Sequence, residues 1–242
     1  MSEQEYPFQA PIASFSNGCL YHIFSTPLFA CRCENTEAIQ KELEVSYRNS
    51  TYEYKEDFGQ THLLSDTTFG GNVIVKDNLK ELEKAIHANL SNFLGAIGFE
   101  NNGSYIPNIR YKIQQSWWSK FGYRDYAHVH NHGASDISGV YYFKAESSND
   151  AKGLSSSFGT QPEGNIYFSS PAPCHTTSFV FGHYGYKQSQ LAEVGKMLLF
   201  PAYLDHGVST NETKTDRVSL AFNINFEKLD NYVNEKSEDK FK

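Results

Sequence analysis

The sequence predicts a mainly β fold, a sandwich or barrel of short strands with helices against one side. Three observations predict it. After Gly103 the apolar residues fall in short runs parted by Gly, Ser, Asn and Pro clusters, the pattern of strands and turns. Before Gly103 two stretches carry apolar residues at helical spacing. Strands and helices do not alternate, which argues against a doubly wound parallel sheet. At 242 residues the chain is one sizeable domain, long enough to bury roughly 70–75% of its unfolded surface without staples. Its 18 Phe, 16 Tyr and 2 Trp suit strands and a lined pocket.

Taken in order, residues 1–18 read as a polar leader, and Cys19 to Cys31 as a first strand ending near Pro27. Asn35-Thr36-Glu37 opens a helix over 36–47 with Ile39, Leu43 and Tyr47 on one face. Residues 48–76 read as irregular. Asp77-Asn78 opens the clearest helix, 78–98, with Leu79, Leu82, Ile86, Leu90, Phe93 and Leu94 at spacings of three and four and Gly98 near its stop. His87, beside that stripe, reads as structural. Strand-like runs follow at Tyr105–Trp118, Ala127–His132, Gly139–Ala145, Asn165–Phe168, Phe179–Phe181, Lys196–Pro201 and Arg217–Phe226. About eight strands are expected over 105–226, with both helices on one outer face. The Ser- and Gly-rich stretch 146–164 is a loop. Residues 169–190, with His175 and His183, form a segment that could cover a substrate. The chain thus divides into 1–104 (strand and helices packed on the core), 105–228 (core) and 229–242 (charged tail), one globular domain overall.

Composition excludes several functions. Twenty-eight acidic against 21 basic residues give a net charge of −7, and Lys and Arg form no cluster, so no nucleic-acid partner is expected. No apolar run approaches the ~18 residues of a membrane helix. The acidic start lacks the parts of a signal peptide, so a soluble, cytoplasmic protein is expected. Cys19, Cys31, Cys33 and Cys174 include no Cys-x-x-Cys pair and no zinc-ribbon spacing. Cys31 and Cys33 share a face of an extended stretch and read as free thiols in a reducing compartment.

The histidines carry the chemistry. The chain has no Gly-x-Ser-x-Gly, P-loop, dinucleotide-binding glycine pattern or His-Glu-x-x-His. It has His128, His130 and His132 on one segment and His206 further on. Residues two apart on a strand point the same way, about 6.6–6.8 Å apart. His130 and His132 can therefore meet one ion if the strand end curls, which Gly133 permits. His128 and His132 lie too far apart to share it. One His-x-His pair plus a distant His leaves open positions on Zn, Fe, Ni or Cu. Arg217 and Ser219 share one strand face between Val218 and Leu220. A guanidinium beside a hydroxyl is a carboxylate receptor, so Arg217 is expected to point into a pocket. It lies 11 residues after His206, expected on the next strand of the same wall.

In this order, Ser116-Trp117-Trp118, His130-Asn131-His132-Gly133, Ser138-Gly139-Val140-Tyr141-Tyr142, Val194 through Pro201, Leu204-Asp205-His206 and Arg217 through Asn223 resemble the bacterial and phage group of 2-oxoglutarate- and Fe(II)-dependent oxygenases. The resemblance covers residues ~105–226 well and the N-terminal helices more loosely. It implies a double-stranded β-helix (jelly-roll, cupin-like) core with flanking N-terminal α-helices and iron at the open end of the barrel. It implies that His130 and His206 bind Fe(II), that Arg217 with Ser219 pairs with the far carboxylate of 2-oxoglutarate, and that Tyr142 reaches this co-substrate. Tyr141 reads as packing and Trp117 as wall. The wider superfamily has His-x-Asp or His-x-Glu where this chain has His-x-His, so His132 is the expected third ligand. Asp136 is a rival, and His128-x-His130 a further register. Gly133 stands where Pro is expected and Ser119 where Asn is.

The activity so implied is a dioxygenase that consumes O2 and 2-oxoglutarate, releases succinate and CO2, and hydroxylates a peptide side chain or small metabolite. No membrane partner is expected, a homodimer is left open, and a phage-encoded chain would work in the host cytoplasm. Two alternatives remain: a non-oxygenase metal-binding β-barrel, with Arg217 merely structural, and a three-His cupin-type dioxygenase that needs no 2-oxoglutarate.

Overall fold

The computed structural model describes residues 26–54, 61–68, 70–97, 109–145, 164–171 and 187–228. Along them run β1 (Phe29–Arg32), α1 (Thr36–Asn49), β2 (Tyr52–Tyr54), β3 (Leu63–Ser65), α2 (Val73–Lys76), α3 (Lys80–Ala96) and β4 (Ile109–Phe121). Then come β5 (Ala127–His130), β6 (Ile137–Lys144), β7 (Ile166–Ser169), β8 (Lys187–Gln190), β9 (Lys196–Pro201), β10 (His206–Val208) and β11 (Arg217–Lys228). They form two antiparallel sheets, ordered β1-β9-β6-β11-β4-β3-β2 and β5-β10-β7-β8. This is a jelly-roll, mainly β, with the N-terminal helices flanking it.

The centre of the larger sheet, β6, β9 and β11, is buried on both faces, and the sequence of these strands follows from that. In β9, Met197 and Leu199 pack toward the helices while Leu198 and Phe200 pack between the sheets. The run Met-Leu-Leu-Phe therefore shows no polar alternation. In β11, Val218, Leu220, Phe222 and Ile224 join the helix-side core. The pleat sends Arg217, Ser219, Ala221 and Asn223 to the opposite face, where they line a cavity between the sheets. From the helices, Ile39 and Leu43 of α1 and Leu82, Ile86, Leu90 and Phe93 of α3 fill the same outer core. Gly139 lets β6 lie under Phe222: a Cβ there would stand 2.3 Å from the ring.

Both expected helices are present, the first starting at Thr36 as expected and running on to Asn49. The second begins at Lys80, beyond Asp77-Asn78, because Asn78 turns left-handed at φ 55°. Its first amides are capped from the neighbouring helix: Glu81 and Leu82 donate N–H to the Glu42 carboxylate at 3.1 Å. Asp77 instead accepts from Ser46 Oγ, which itself accepts from Trp118 Nε1, tying sheet, α1 and the corner before α3 together.

Other expectations are corrected. Among the described residues the first strand, β1, begins at Phe29, beyond Pro27, and pairs with β9. Proline has no N–H to give a ladder. The stretch 48–76, read as irregular, contains β2, β3 and α2, each only three or four residues and too short to show a period. Among the described residues eight strands, β4 to β11, lie within 109–228. The polar leader, the early part of the first strand, the loop from 146 to 163, Phe179–Phe181, most of the covering segment with His175 and His183, Cys19, Cys174 and the tail lie outside the described residues. Of the covering segment, 187–190 is strand β8. Among the described residues no helix is long and apolar enough to cross a membrane.

Candidate active site

His206 on β10 pairs directly with His130 on β5, which brings the two imidazoles together on the cavity wall. Their ring centroids lie 4.5 Å apart. His132 follows the end of β5, where its N–H donates to Ala202 O at 2.8 Å. Its ring stands 5.2 Å from each of the other two. One ligand nitrogen from each of the three lies within 4.8 Å of the others. Nitrogens about 2.0–2.1 Å from one ion stand at most about 4.2 Å apart, so a small inward rotation would close the set.

Hydrogen bonding orients two of the three rings. His130 Nδ1 meets His128 O at 2.7 Å, and His206 Nδ1 meets Leu204 O at 2.8 Å. With Nδ1–H donated to a carbonyl, Nε2 carries the lone pair. Burial, then the neighbouring His130, pull His206 down to about 3. The same two causes pull His132 down to about 4, and burial lowers His130 as well. At neutral pH all three are therefore uncharged donors, the form a metal takes. Asn131 Nδ2 donates to Asp205 Oδ1 at 2.8 Å, joining the two segments that carry the imidazoles.

The rival residues stand elsewhere. Asp136 Oδ2 accepts from Phe226 N at 2.7 Å, and the residue is outside the three-histidine group. His128 is exposed and lies edge-on to Tyr126. Trp117 lines the cavity with its ring 5.5 Å from His132.

Arg217 is 5% exposed and lines the same cavity. It does not share a wall with His206, as its sequence distance suggested. His206 is in the smaller sheet and Arg217 in the larger, so the two face the cavity from opposite sides. The chain crosses between sheets through the turn at Asn211, whose Nδ2 donates to Phe121 O and Thr215 O at 3.0 Å. The guanidinium lies between aromatic rings, its Cζ 4.6 Å from the Phe121 centroid and 5.0 Å from that of Tyr142. Its Nη1 reaches Ser219 Oγ at 3.5 Å. Arg217 Nε and Tyr142 Oη are buried without hydrogen-bond partners. Burial raises the Tyr142 phenol and the adjacent guanidinium opposes the rise. No carboxylate is ion-paired with this arginine among the described residues, so its charge is free for an anion. Tyr141, on the other face, packs in the helix-side core and accepts from Gln40.

Two features escaped the sequence reading. Ser138 Oγ donates to Asn223 Oδ1 at 2.9 Å, a buried polar pair on the cavity wall. His62, just before β3, is 4% exposed and also lines the cavity. Its ring stacks on Phe121 at 4.0 Å with 9° between planes, and its Nδ1 meets Tyr126 O at 3.3 Å. No spacing signals it, because strand register alone brings it there.

Two facing sheets around three convergent imidazoles and a buried, unpaired guanidinium define a jelly-roll protein with a donor set able to hold a metal ion. Residues 115–223, a little under half of the chain, match the family model described as "Putative 2OG-Fe(II) oxygenase", a family whose members use Fe(II), 2-oxoglutarate and O2. No curated protein sequence matches the chain. Among solved structures, the chain is similar to the epimerase SnoN in complex with Fe3+, alpha ketoglutarate and nogalamycin RO (TM-score 0.53, 8% identity, 82% of this chain and 78% of that one). It is also similar to the carbocyclase SnoK from nogalamycin biosynthesis (0.52, 10%, 82% and 79%). A third is HygX from Streptomyces hygroscopicus with nickel, 2-oxoglutarate and hygromycin B bound (0.50, 11%, 83% and 83%). At such identities these likenesses speak for the fold.

Proposed function

We propose that His130, His132 and His206 hold Fe(II), and that Arg217, with Ser219 beside it and Tyr142 behind it, holds the far carboxylate of 2-oxoglutarate. The observation that carries this reading is the buried Arg217, with an orphaned Nε and no anionic partner, facing three neutral imidazoles across one cavity. A buried guanidinium without an anion is costly; a dicarboxylate held at its other end by the metal would supply one. The donor set fits the metal, because two imidazoles are already fixed with Nε2 free and all three are uncharged at neutral pH.

When bound, iron and 2-oxoglutarate supply the oxidising chemistry, in which O2 is consumed, succinate and CO2 are released and a substrate C–H becomes C–OH. The chain's own work is positional. The carbonyls of His128 and Leu204 hold two imidazoles in register, and Asn131 with Asp205 fixes the separation of the segments that bear them. Phe121 and Tyr142 pack on the guanidinium and hold it in place, and Phe200, 4.9 Å from His206, helps exclude water. The cavity holds about 350 Å³, room for the co-substrate and one substrate group of side-chain size. This supports a peptide side chain or small metabolite as substrate, with Trp117 and the Ser138–Asn223 pair as its neighbours. The orphaned Arg217 weighs against both a cupin-type enzyme without 2-oxoglutarate and a metal barrel without chemistry.

The test is succinate formation from 2-oxoglutarate by the Fe(II)-loaded chain, in the presence of peptides and small metabolites. No chelate absorption band under anaerobic conditions and no succinate with any of them would remove the reading.

A further inference from the structure

His62 lies outside the matched core, yet its ring enters the cavity beside Arg217. Leu63 pairs with Lys120 and Arg217 with Phe121, so His62 and Arg217 approach Phe121 from the strands on either side of it. Across four neighbouring strands the order is His62, Phe121, Arg217, Tyr142, with spacings of 4.0, 4.6 and 5.0 Å. His62 is also tied to the other sheet. Its Nδ1 meets Tyr126 O at 3.3 Å, while Thr61 Oγ1 accepts from Tyr126 N at 2.7 Å and donates to Tyr126 O at 3.1 Å. Tyr126 immediately precedes β5, the strand that carries His130. One short segment thus touches the guanidinium's ring support on the larger sheet and the root of the imidazole strand on the smaller.

We infer that His62 is a positioning residue for Arg217: it clips the sheet that bears the guanidinium to the sheet that bears His130 and His206, and so sets the gap that 2-oxoglutarate must span. The inference rests on the proposed roles of those residues. A ligand held at both ends gains only if the two anchors stand at its own length, which makes the inter-sheet distance a determinant of affinity. Burial, with the charge of Arg217, pulls His62 down to about 3. The ring is therefore neutral, lies flat on Phe121 without repelling the guanidinium, and leaves Arg217 as the cation at that end. With Nδ1–H spent on Tyr126, Nε2 is a lone pair and no donor to a carboxylate. This favours positioning over direct contact.

The test compares two chelators on the full chain loaded anaerobically with Fe(II). 2-Oxoglutarate needs both anchors; oxalate has a chelating end and no far carboxylate. In calorimetric titrations His62→Ala should weaken 2-oxoglutarate by about tenfold, the scale on which supporting residues act, and leave Fe(II) and oxalate within about twofold. A loss under about threefold, or a parallel loss of Fe(II) and oxalate, overturns the inference. If the alanine variant does not fold, His62→Phe keeps the ring over Phe121 but removes the bond from Nδ1 to Tyr126 O, leaving only those of Thr61. It should lose at least about threefold for 2-oxoglutarate alone, and unchanged affinity overturns the clip. Arg217→Ala separates the two readings. Were it to bind 2-oxoglutarate like wild type, the dicarboxylate reading itself would fail; if it is impaired while His62→Ala is not, only the clip fails.

Discussion

His130 and His206 stand opposite each other on paired strands, and each turns its Nδ1 to the carbonyl two residues before it, His128 O and Leu204 O. The same local bond on two antiparallel strands fixes both rings with Nε2 toward the space between them. His132 has no such bond and is held by its backbone and by the Trp117 ring. The three donors therefore differ in rigidity, and the third is set by the turn at Gly133.

The metal set follows from that difference. His206→Ala and His130→Ala should each abolish stoichiometric Fe(II) binding, and His132→Ala should weaken it by at least about tenfold. Asp136→Ala should leave the stoichiometry unchanged. It should cost about 1–2 kcal/mol of stability, because the Asp136 carboxylate accepts from Phe226 N. Metal titration with a urea melt on each variant distinguishes them. Loss of binding in Asp136→Ala with His132→Ala unaffected would reverse the assignment of the third ligand.

In the metal-free chain His62 and His206 are held down to about 3 and His132 to about 4 by burial. Their unfolded value is about 6.5. As pH falls below that value, the unfolded chain takes up protons that the folded one refuses. The stability is thus fully present above about pH 6.5 and is lost as pH drops toward 4. Each such imidazole contributes a slope of up to about 1.4 kcal/mol per pH unit. The urea midpoint of metal-free protein should fall between pH 7 and 5, and fall less steeply in His62→Phe. A midpoint that rises on acidification would contradict the burial of these rings.

Much of this was legible in the sequence where one strand reports on itself. The run 196–201 reads as a strand, the alternation in β11 turns Arg217 and Ser219 to one face, and the His-x-His spacing with a separate His picks out the three imidazoles that the fold brings together. What was illegible depends on pairing at long range. His62 reaches Arg217 only because Leu63 pairs with Lys120 and Phe121 pairs with Arg217. The wall assigned to Arg217 was wrong because the turn at Asn211 moves the chain from one sheet to the other, which a separation of 11 residues does not encode. The cap of α3 likewise comes from Glu42 on another helix, while the left-handed turn at Asn78 delays its start.

Gly207, next to His206, leaves room for Tyr167. A Cβ at that position would stand 2.5 Å from the Tyr167 hydroxyl and 2.9 Å from the Ala127 carbonyl. The phenol can swing away, but the carbonyl belongs to β5 and cannot without moving His130. Gly207→Ala should therefore separate β10 from β5, costing about 1–3 kcal/mol and weakening Fe(II) binding while His206 itself is intact. A variant with lowered stability and wild-type metal affinity would show the two strands to be adjustable.

Arg217 should trade stability against binding. Its guanidinium is 5% exposed, is stacked between Phe121 and Tyr142, and has an unpartnered Nε. Burying such a charge without an anion opposes folding, and replacing buried ionic groups by apolar ones of similar volume is often neutral or stabilising by about 1–4 kcal/mol. Arg217→Met keeps a long apolar stem between the two rings and removes the charge. In the absence of 2-oxoglutarate this variant should melt at or above the wild-type temperature. With the co-substrate, the wild type should gain stability by mass action and the variant should not. Losing the charge-assisted pair with the far carboxylate costs ~3–5 kcal/mol, a few hundred- to a few thousand-fold in affinity. Melting curves of both proteins with Fe(II), with and without 2-oxoglutarate, read the two effects together. If Arg217→Met is destabilised without ligand yet still stabilised by 2-oxoglutarate, the guanidinium is a structural strut and the co-substrate's far carboxylate is held elsewhere.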